Sequence, residues 1–425
     1  MRGHDLLVLS KTPDGAPLAL GIEEGQIAFV GPEPIAEGRV TLDHQDGFLL
    51  PGWIDAHVHF NEPGRSDWEG LASGSKALAA GGGTVFFDMP LNSTPPVLNG
   101  EALRTKRCLA EEKSCLDFAL WGGLTPDSLN HLEEMAEEGA IGFKAFLCPS
   151  GLEEFAFSDS ATLRQGMEVA ADLNLPIAVH AEIEPRSRPE GQDMTAWLAS
   201  RPIQLELDAI ALALELGEET GCALHVVHVS SAEGIDLIST AKKKGVNVTA
   251  ETCPHYLLLS ERDAIAIGAS AKCAPPLRPM SSVEALRKKL GEGEIDTLGS
   301  DHSPAPFDLK QGDDFFAIWG GIAGIQHGLP LLLDLELDTT LTEPLSTTVA
   351  SRFRLTQKGG FREGNDADFS FVVSETETIE ASSLVTRHPI SPYLGRSTDH
   401  RIAATYQRGE PVTSSSKGRF LQPQP

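Results

Sequence analysis

The chain has 425 residues, 41% hydrophobic and 22% charged, the balance of a globular protein with room for one large catalytic domain and a smaller one. Its 34 Lys+Arg against 61 Asp+Glu leave a net charge of −27, which argues against nucleic acid or an anionic membrane surface as partner and favours a neutral or cationic small molecule. Six cysteines without CxxC spacing predict reduced thiols, and the lack of any apolar stretch of about 18 residues predicts a cytoplasmic protein with no membrane segment.

Residues 5–49 hold short alternating runs ("DLLVLS", "LALGIEEGQIAFVG", "RVTLDHQDGFLL") broken by Gly, Pro and Asp, the pattern of a small β-structure. Eight strand-like apolar runs follow, at 52–60, 83–90, 116–123, 141–147, 175–182, 223–231, 246–255 and 295–304. Helical patterns such as 68–80, 99–113, 127–138, 195–218, 232–244 and 281–290 fall between them. This alternation predicts a closed (β/α)₈ TIM barrel over 50–359, although an open doubly wound sheet would give a similar string. No GxGxxG follows an early strand, which removes the usual dinucleotide reading. The runs at 366–373 and 401–412 are again strand-like, so 1–49 and 360–425 are expected to form one flanking β-sandwich, ending in a loose tail, "SSSKGRFLQPQP".

In "DAHVHFNEPG", His57 and His59 stand two apart on the first barrel strand and point to one face, half of a divalent-metal site or a chance pair. Lys144, His180, His228 and Asp301 are expected at the carboxyl ends of strands four, five, six and eight, where barrels build their sites. His180 and His228 could also be core histidines. Lys144 in "GFKAF" is harder to explain as packing, because burial without a partner is costly for an ammonium. A buried lysine has a lowered pKa, and reaction with carbon dioxide would make it a carbamate able to bridge two cations. His225 and His228 differ by three and would face opposite sides of their strand, so only His228 is expected in the barrel.

These residues together resemble the binuclear amidohydrolases that open cyclic amides. The ordered motifs "HVHFNEPGRSDWEG", "DMPLNSTPP", "GFKAFLCPSG", "ETCPHYL", "KCAPPLRP" and "SDHSPAP" are most similar to the allantoinases. The resemblance implies a barrel with a flanking β-sandwich and two divalent ions. His57, His59 and Asp301 would hold one ion and His180 and His228 the other, with carboxylated Lys144 bridging. Zinc suits these ligands, with cobalt, manganese, nickel or iron as alternatives. A homotetramer is also implied.

In the related dihydroorotases, residues that contact the substrate carboxylate stand where this chain has Asn61, Leu91, Ala274 and Ala305. All four are neutral here, so an uncharged ring such as allantoin is the expected substrate. Asn61 and Asn92 would hydrogen-bond its amide edges or order their own loops, and His255 would be a substrate contact or structural. His302, next to Asp301, is expected to point the other way. The implied reaction is attack by a metal-bridging hydroxide on the hydantoin amide to give allantoate, with Asp301 as general base and acid. Dihydroorotase or another hydantoinase-type activity is the alternative, and a scaffold that has lost catalysis is a third.

Overall fold

The structure, a computed structural model, describes residues 4–185, 187–335, 337 and 341–424. Strands β1 (His4–Lys11), β2 (Pro17–Glu23), β3 (Gln26–Gly31) and β4 (Gly38–Asp43) form one sheet in the order β3-β2-β1-β4. β5 (Gly47–Pro51) instead joins the far end of the chain, pairing antiparallel with β15 (Phe369–Thr378), which continues to β16 (Ser397–Gln407) and β17 (Glu410–Pro411). Apolar residues of the two sheets, among them Val8, Leu20, Ile27, Leu49, Phe369 and Tyr406, share one core, and the result is the expected β-sandwich.

Between these ends lie the parallel strands of the barrel. β6 (Trp53–Val58), β7 (Gly83–Asp88) and β8 (Asp117–Leu120) form one arc, and β9 (Gly122–Gly123), β10 (Phe143–Phe146), β11 (Ile177–His180), β12 (Leu224–Val226), β13 (Val248–Thr252) and β14 (Thr297–Leu298) form the other. β8 and β9 are one strand interrupted at Trp121, whose indole donates to the Ala56 carbonyl at 3.0 Å. The ring closes where the Trp53 indole donates to the Leu298 carbonyl at 2.8 Å and His59 N–H to the His302 carbonyl at 2.8 Å. β6, β7, β8 and β10 are buried at every position, as parallel strands covered by helices require.

Most expected helices are present, at Leu71–Ala80, Gly100–Lys113, Ala232–Lys243 and Met280–Gly291. The segment 127–138 begins as a 3₁₀ turn, Pro126–His131, before Leu132–Glu137, and a helix at Ser160–Asp172 adds to the expected set. The single helix expected over 195–218 is two, Met194–Ser200 and Ile203–Thr220. Pro202 disfavours helical backbone at the residue before it, and Arg201 accordingly leaves the helix at φ −124 and ψ 64.

The expected loose tail is docked. Phe118 N–H donates to the Arg419 carbonyl at 3.0 Å and Leu421 N–H to the Phe118 carbonyl at 2.7 Å. β8 has only β7 as a sheet partner because β10 pairs with β9, and the tail occupies the backbone edge left open. Among the described residues no helix is long and apolar enough to cross a membrane.

Candidate metal centre

A cavity of about 350 Å³ opens at the carboxyl end of the barrel, and His57, His59, Lys144, His180, His228 and Asp301 all line it. His180 ends β11 as expected, whereas Lys144 sits inside β10 and His59, His228 and Asp301 lie just beyond their strands. Strand geometry therefore does not aim all six side chains. His228 and Asp301 turn inward through left-handed backbone, at φ 42 and φ 45, and Asn61 and Asn92 adopt the same region at φ 63 and φ 67. Such backbone is costly for non-glycine residues and persists where the surroundings enforce it.

His57 Nε2 and His59 Nε2 each lie 3.3 Å from Asp301 Oδ1. On the opposite side His180 Nδ1 is 2.9 Å from His228 Nε2, and the His57 and His228 rings are 5.4 Å apart. Lys144 Nζ has no hydrogen-bond partner among the described residues, and burial lowers its pKa to about 8. Burial, then the charge of Lys144, holds His57 well below its ordinary value, and burial, then His180, does the same to His228. Burial pushes the Asp301 carboxyl up, but hydrogen bonding and charge from His59 outweigh it and keep the group below the ordinary range. Imidazoles, an amine whose pKa burial lowers, and a carboxylate are the donor set of a divalent metal site. The buried, partnerless Nδ1 of His59, Nδ1 of His228 and Nζ of Lys144 fit the same use.

The sequence reading missed Glu251. Its Oε1 lies 2.7 Å from His57 Nδ1, which holds that ring with Nε2 turned to Asp301. His225 Nε2 reaches the other oxygen, Oε2, at 3.3 Å, while His225 stacks on Trp121 at 7° between planes. This corrects the expectation that only one of His225 and His228 can enter the barrel. β12 ends at Val226, so alternation stops before His228, and both histidines lie inside at different depths. Gly299 makes the arrangement possible, since a Cβ there would stand 2.7 Å from the Glu251 carboxyl carbon and 2.9 Å from His57 Cβ. The signal was available: an acid within the apolar run "VTAET" raises the same question as Lys144 in "GFKAF". Asp55, also buried, accepts from Ser300 N–H at 2.9 Å and His57 N–H at 3.1 Å and so orders the chain around the site.

Leu91, Asn92, Ala274 and Ser303 line the cavity, whereas Ala305 is buried outside it. Asn92 Nδ2 lies 3.4 Å from Ser303 Oγ. Asn61 and His255 are buried but do not line the cavity: Asn61 Nδ2 donates to the Pro304 carbonyl at 3.2 Å, and His255 packs on Tyr256 with ring centroids 4.2 Å apart. His302 points away, its Nε2 3.6 Å from Glu69 Oε2. Besides Lys144, Arg201 and Lys272 reach the wall. Arg201, freed by the helix break at Pro202, pairs with Glu182, and Lys272 donates to the Ile318 carbonyl.

A model of the amidohydrolase family matches residues 48–412. The chain is 45% identical to an allantoinase of Rubrobacter xylanophilus, over 100% of this chain and 99% of that protein. It is 46% identical to an allantoinase of Deinococcus radiodurans, over 97% of this chain and 96% of that one. Among solved structures, an L-hydantoinase (dihydropyrimidinase) from Arthrobacter aurescens superimposes with a TM-score of 0.92 at 31% identity, covering 98% of this chain and 97% of its own. The chain belongs to the amidohydrolase family, within its allantoinases.

Proposed function

We infer that this chain hydrolyses the hydantoin ring amide of allantoin to give allantoate. The observation that carries the reading is the 45% identity to an allantoinase along the whole chain. The cavity wall supports it. Leu91, Asn92, Ala274 and Ser303 on the wall are neutral, and the guanidinium of Arg201, the natural partner of a substrate carboxylate, is already paired with Glu182.

The family implies a binuclear divalent metal centre. In our reading His57, His59 and Asp301 would hold one ion and His180 and His228 the other, with carboxylated Lys144 as a further ligand; zinc would suit the donors best. When bound, the ions supply Lewis acidity, polarising the ring carbonyl and making water acidic enough to act as a nucleophile near neutral pH. Asp301 takes the proton from the attacking water at a carboxylate oxygen and returns it to the departing ring nitrogen. Glu251 keeps the His57 ring from rotating, and Asn92 presents its side-chain amide to the substrate's edge. Asn61 and His255, which do not line the cavity, take the structural role instead, Asn61 by tying its loop to the Pro304 carbonyl.

The two chain ends, 1–49 and 360–425, supply the sandwich domain, apart from the tail docked on β8, and 50–359 the catalytic barrel. The protein works in the cytoplasm as a homo-oligomer, a tetramer by resemblance; six free cysteines support that compartment. Turnover of allantoin, hydantoin and dihydroorotate is to be measured with metal-depleted and reconstituted protein. Allantoin hydrolysis that returns with the metal is the expected result, and turnover of either other ring without allantoin overturns the reading.

A further inference from the structure

Five lysines are buried: Lys106, Lys144, Lys272, Lys310 and Lys358. Lys106 pairs with Asp88, Lys358 with three aspartates, and Lys144 faces the candidate metal centre. Among the described residues no carboxylate forms an ion pair with Lys272, which lines the same cavity, or with Lys310. Two unpaired ammonium groups near each other are costly to bury. Burial, with Arg201 beside it, lowers Lys272 to about 8, and burial, with Lys272 beside it, lowers Lys310 to about 7.

Both lysines reach one short segment, Lys310 also donating to the Ala269 carbonyl at 3.5 Å. Lys272 Nζ donates to the Ile318 carbonyl and stands 4.1 Å over the Trp197 ring, while the Lys272 carbonyl accepts from Gly321 N–H at 2.8 Å. Lys310 Nζ donates to the Gly321 carbonyl at 2.6 Å. Ile318–Gly321 is therefore gripped at both ends, and all four of its residues line the cavity. The segment is also held by Ile318 N–H donating to the Asp314 carbonyl at 3.0 Å and Trp319 N–H to the Leu309 carbonyl at 2.9 Å, while its side chains add less. Trp319 meets Trp68 edge-on at 4.9 Å, but Gly320 has no side chain, and Gly321 holds φ 116 with Ser303 O only 2.4 Å from where a Cβ would stand.

We propose that Lys272 and Lys310 are positioning residues that clamp the Ile318–Gly321 wall and so set how the cyclic amide is held in the cavity. The inference rests on the cavity being the substrate site. Replacing either ammonium by an apolar chain of similar length removes a charge-assisted hydrogen bond and frees one end of the wall without touching any candidate metal ligand.

The test compares Lys272→Met, Lys310→Met and the conservative Lys272→Arg with the unaltered, metal-loaded protein. Each methionine variant is expected to raise KM for allantoin about tenfold while kcat changes less than about twofold and metal content is unchanged. Peptide-level hydrogen exchange over 315–322 is expected to accelerate in both methionine variants, and Lys272→Arg is expected to recover part of each effect. Unchanged KM and unchanged exchange in both methionine variants overturn the clamp, as does a matching fall in kcat with KM unmoved. If the unaltered protein does not turn over allantoin, the functional reading fails, and the exchange measurement alone judges the clamp. Should one methionine variant fail to fold, the other carries the same comparison.

Discussion

Lys144 and Lys358 are both buried in the barrel and treated in opposite ways. At the mouth, Lys144 has no hydrogen-bond partner among the described residues, and burial lowers it to about 8. Where the barrel meets the sandwich, Lys358 Nζ lies 2.7 Å from Asp117, 2.8 Å from Asp366 and 2.6 Å from Asp368, and Arg408 also pairs with Asp117. Burial alone would lower Lys358 too, but the three carboxylates raise it well above the ordinary value. Three clustered aspartates could suggest a metal site, yet here a lysine fills it. The mouth leaves the Lys144 amine without a partner among the described residues, whereas the interface satisfies its charges within the chain. That difference separates a site from a staple more sharply than burial or charge count does.

Three substitutions probe the contrast. At the mouth, Asp301→Asn is expected to lower kcat by about 10²- to 10⁴-fold, with the melting temperature of the metal-free protein nearly unchanged, because the proposed proton carrier is lost and little packing with it. A large loss of stability in that variant would show that the mouth is a staple as well. At the interface, Lys358→Met is expected to cost about 3–5 kcal/mol in denaturant unfolding, since it leaves buried carboxylates uncompensated. Turnover per folded molecule should stay the same, and a specific activity defect would join the two regions. Glu251→Gln lies between them in the barrel interior and is expected to weaken metal binding about 10- to 100-fold by titration of the metal-free protein. Unaltered affinity there would mean that Glu251 supports packing and not His57.

Much of the site could be read from spacing, and its gaps have physical causes. His57, His59, Lys144, His180, His228 and Asp301 were legible because polar groups in apolar strand runs are expensive and therefore purposeful. His225 was assigned to the wrong side because the alternation rule was carried past Val226, where the strand has ended. Arg201 reached the cavity through a proline break that an uninterrupted helical pattern concealed. Asn61 and Asn92 looked equivalent as loop asparagines, yet only Asn92 lines the cavity. The tail read as loose because its partner, the open edge of β8, exists only after the third strand breaks at Trp121.

By itself the sequence determined the alternating strands and helices, the neutral character of Leu91, Asn92 and Ala274, and the polar residue types in and just after the strands. These depend on hydrophobic period and residue chemistry, which are local. Tertiary structure alone decided which groups stand across from one another. Glu251 behind His57, the clearance at Gly299, the lysine grip on Ile318–Gly321 and the docking of the tail on Phe118 each join residues distant in the chain or depend on backbone turns. Local periodicity carries no information about such pairings, because they arise when the ring closes and its neighbours are chosen by packing and hydrogen-bond satisfaction.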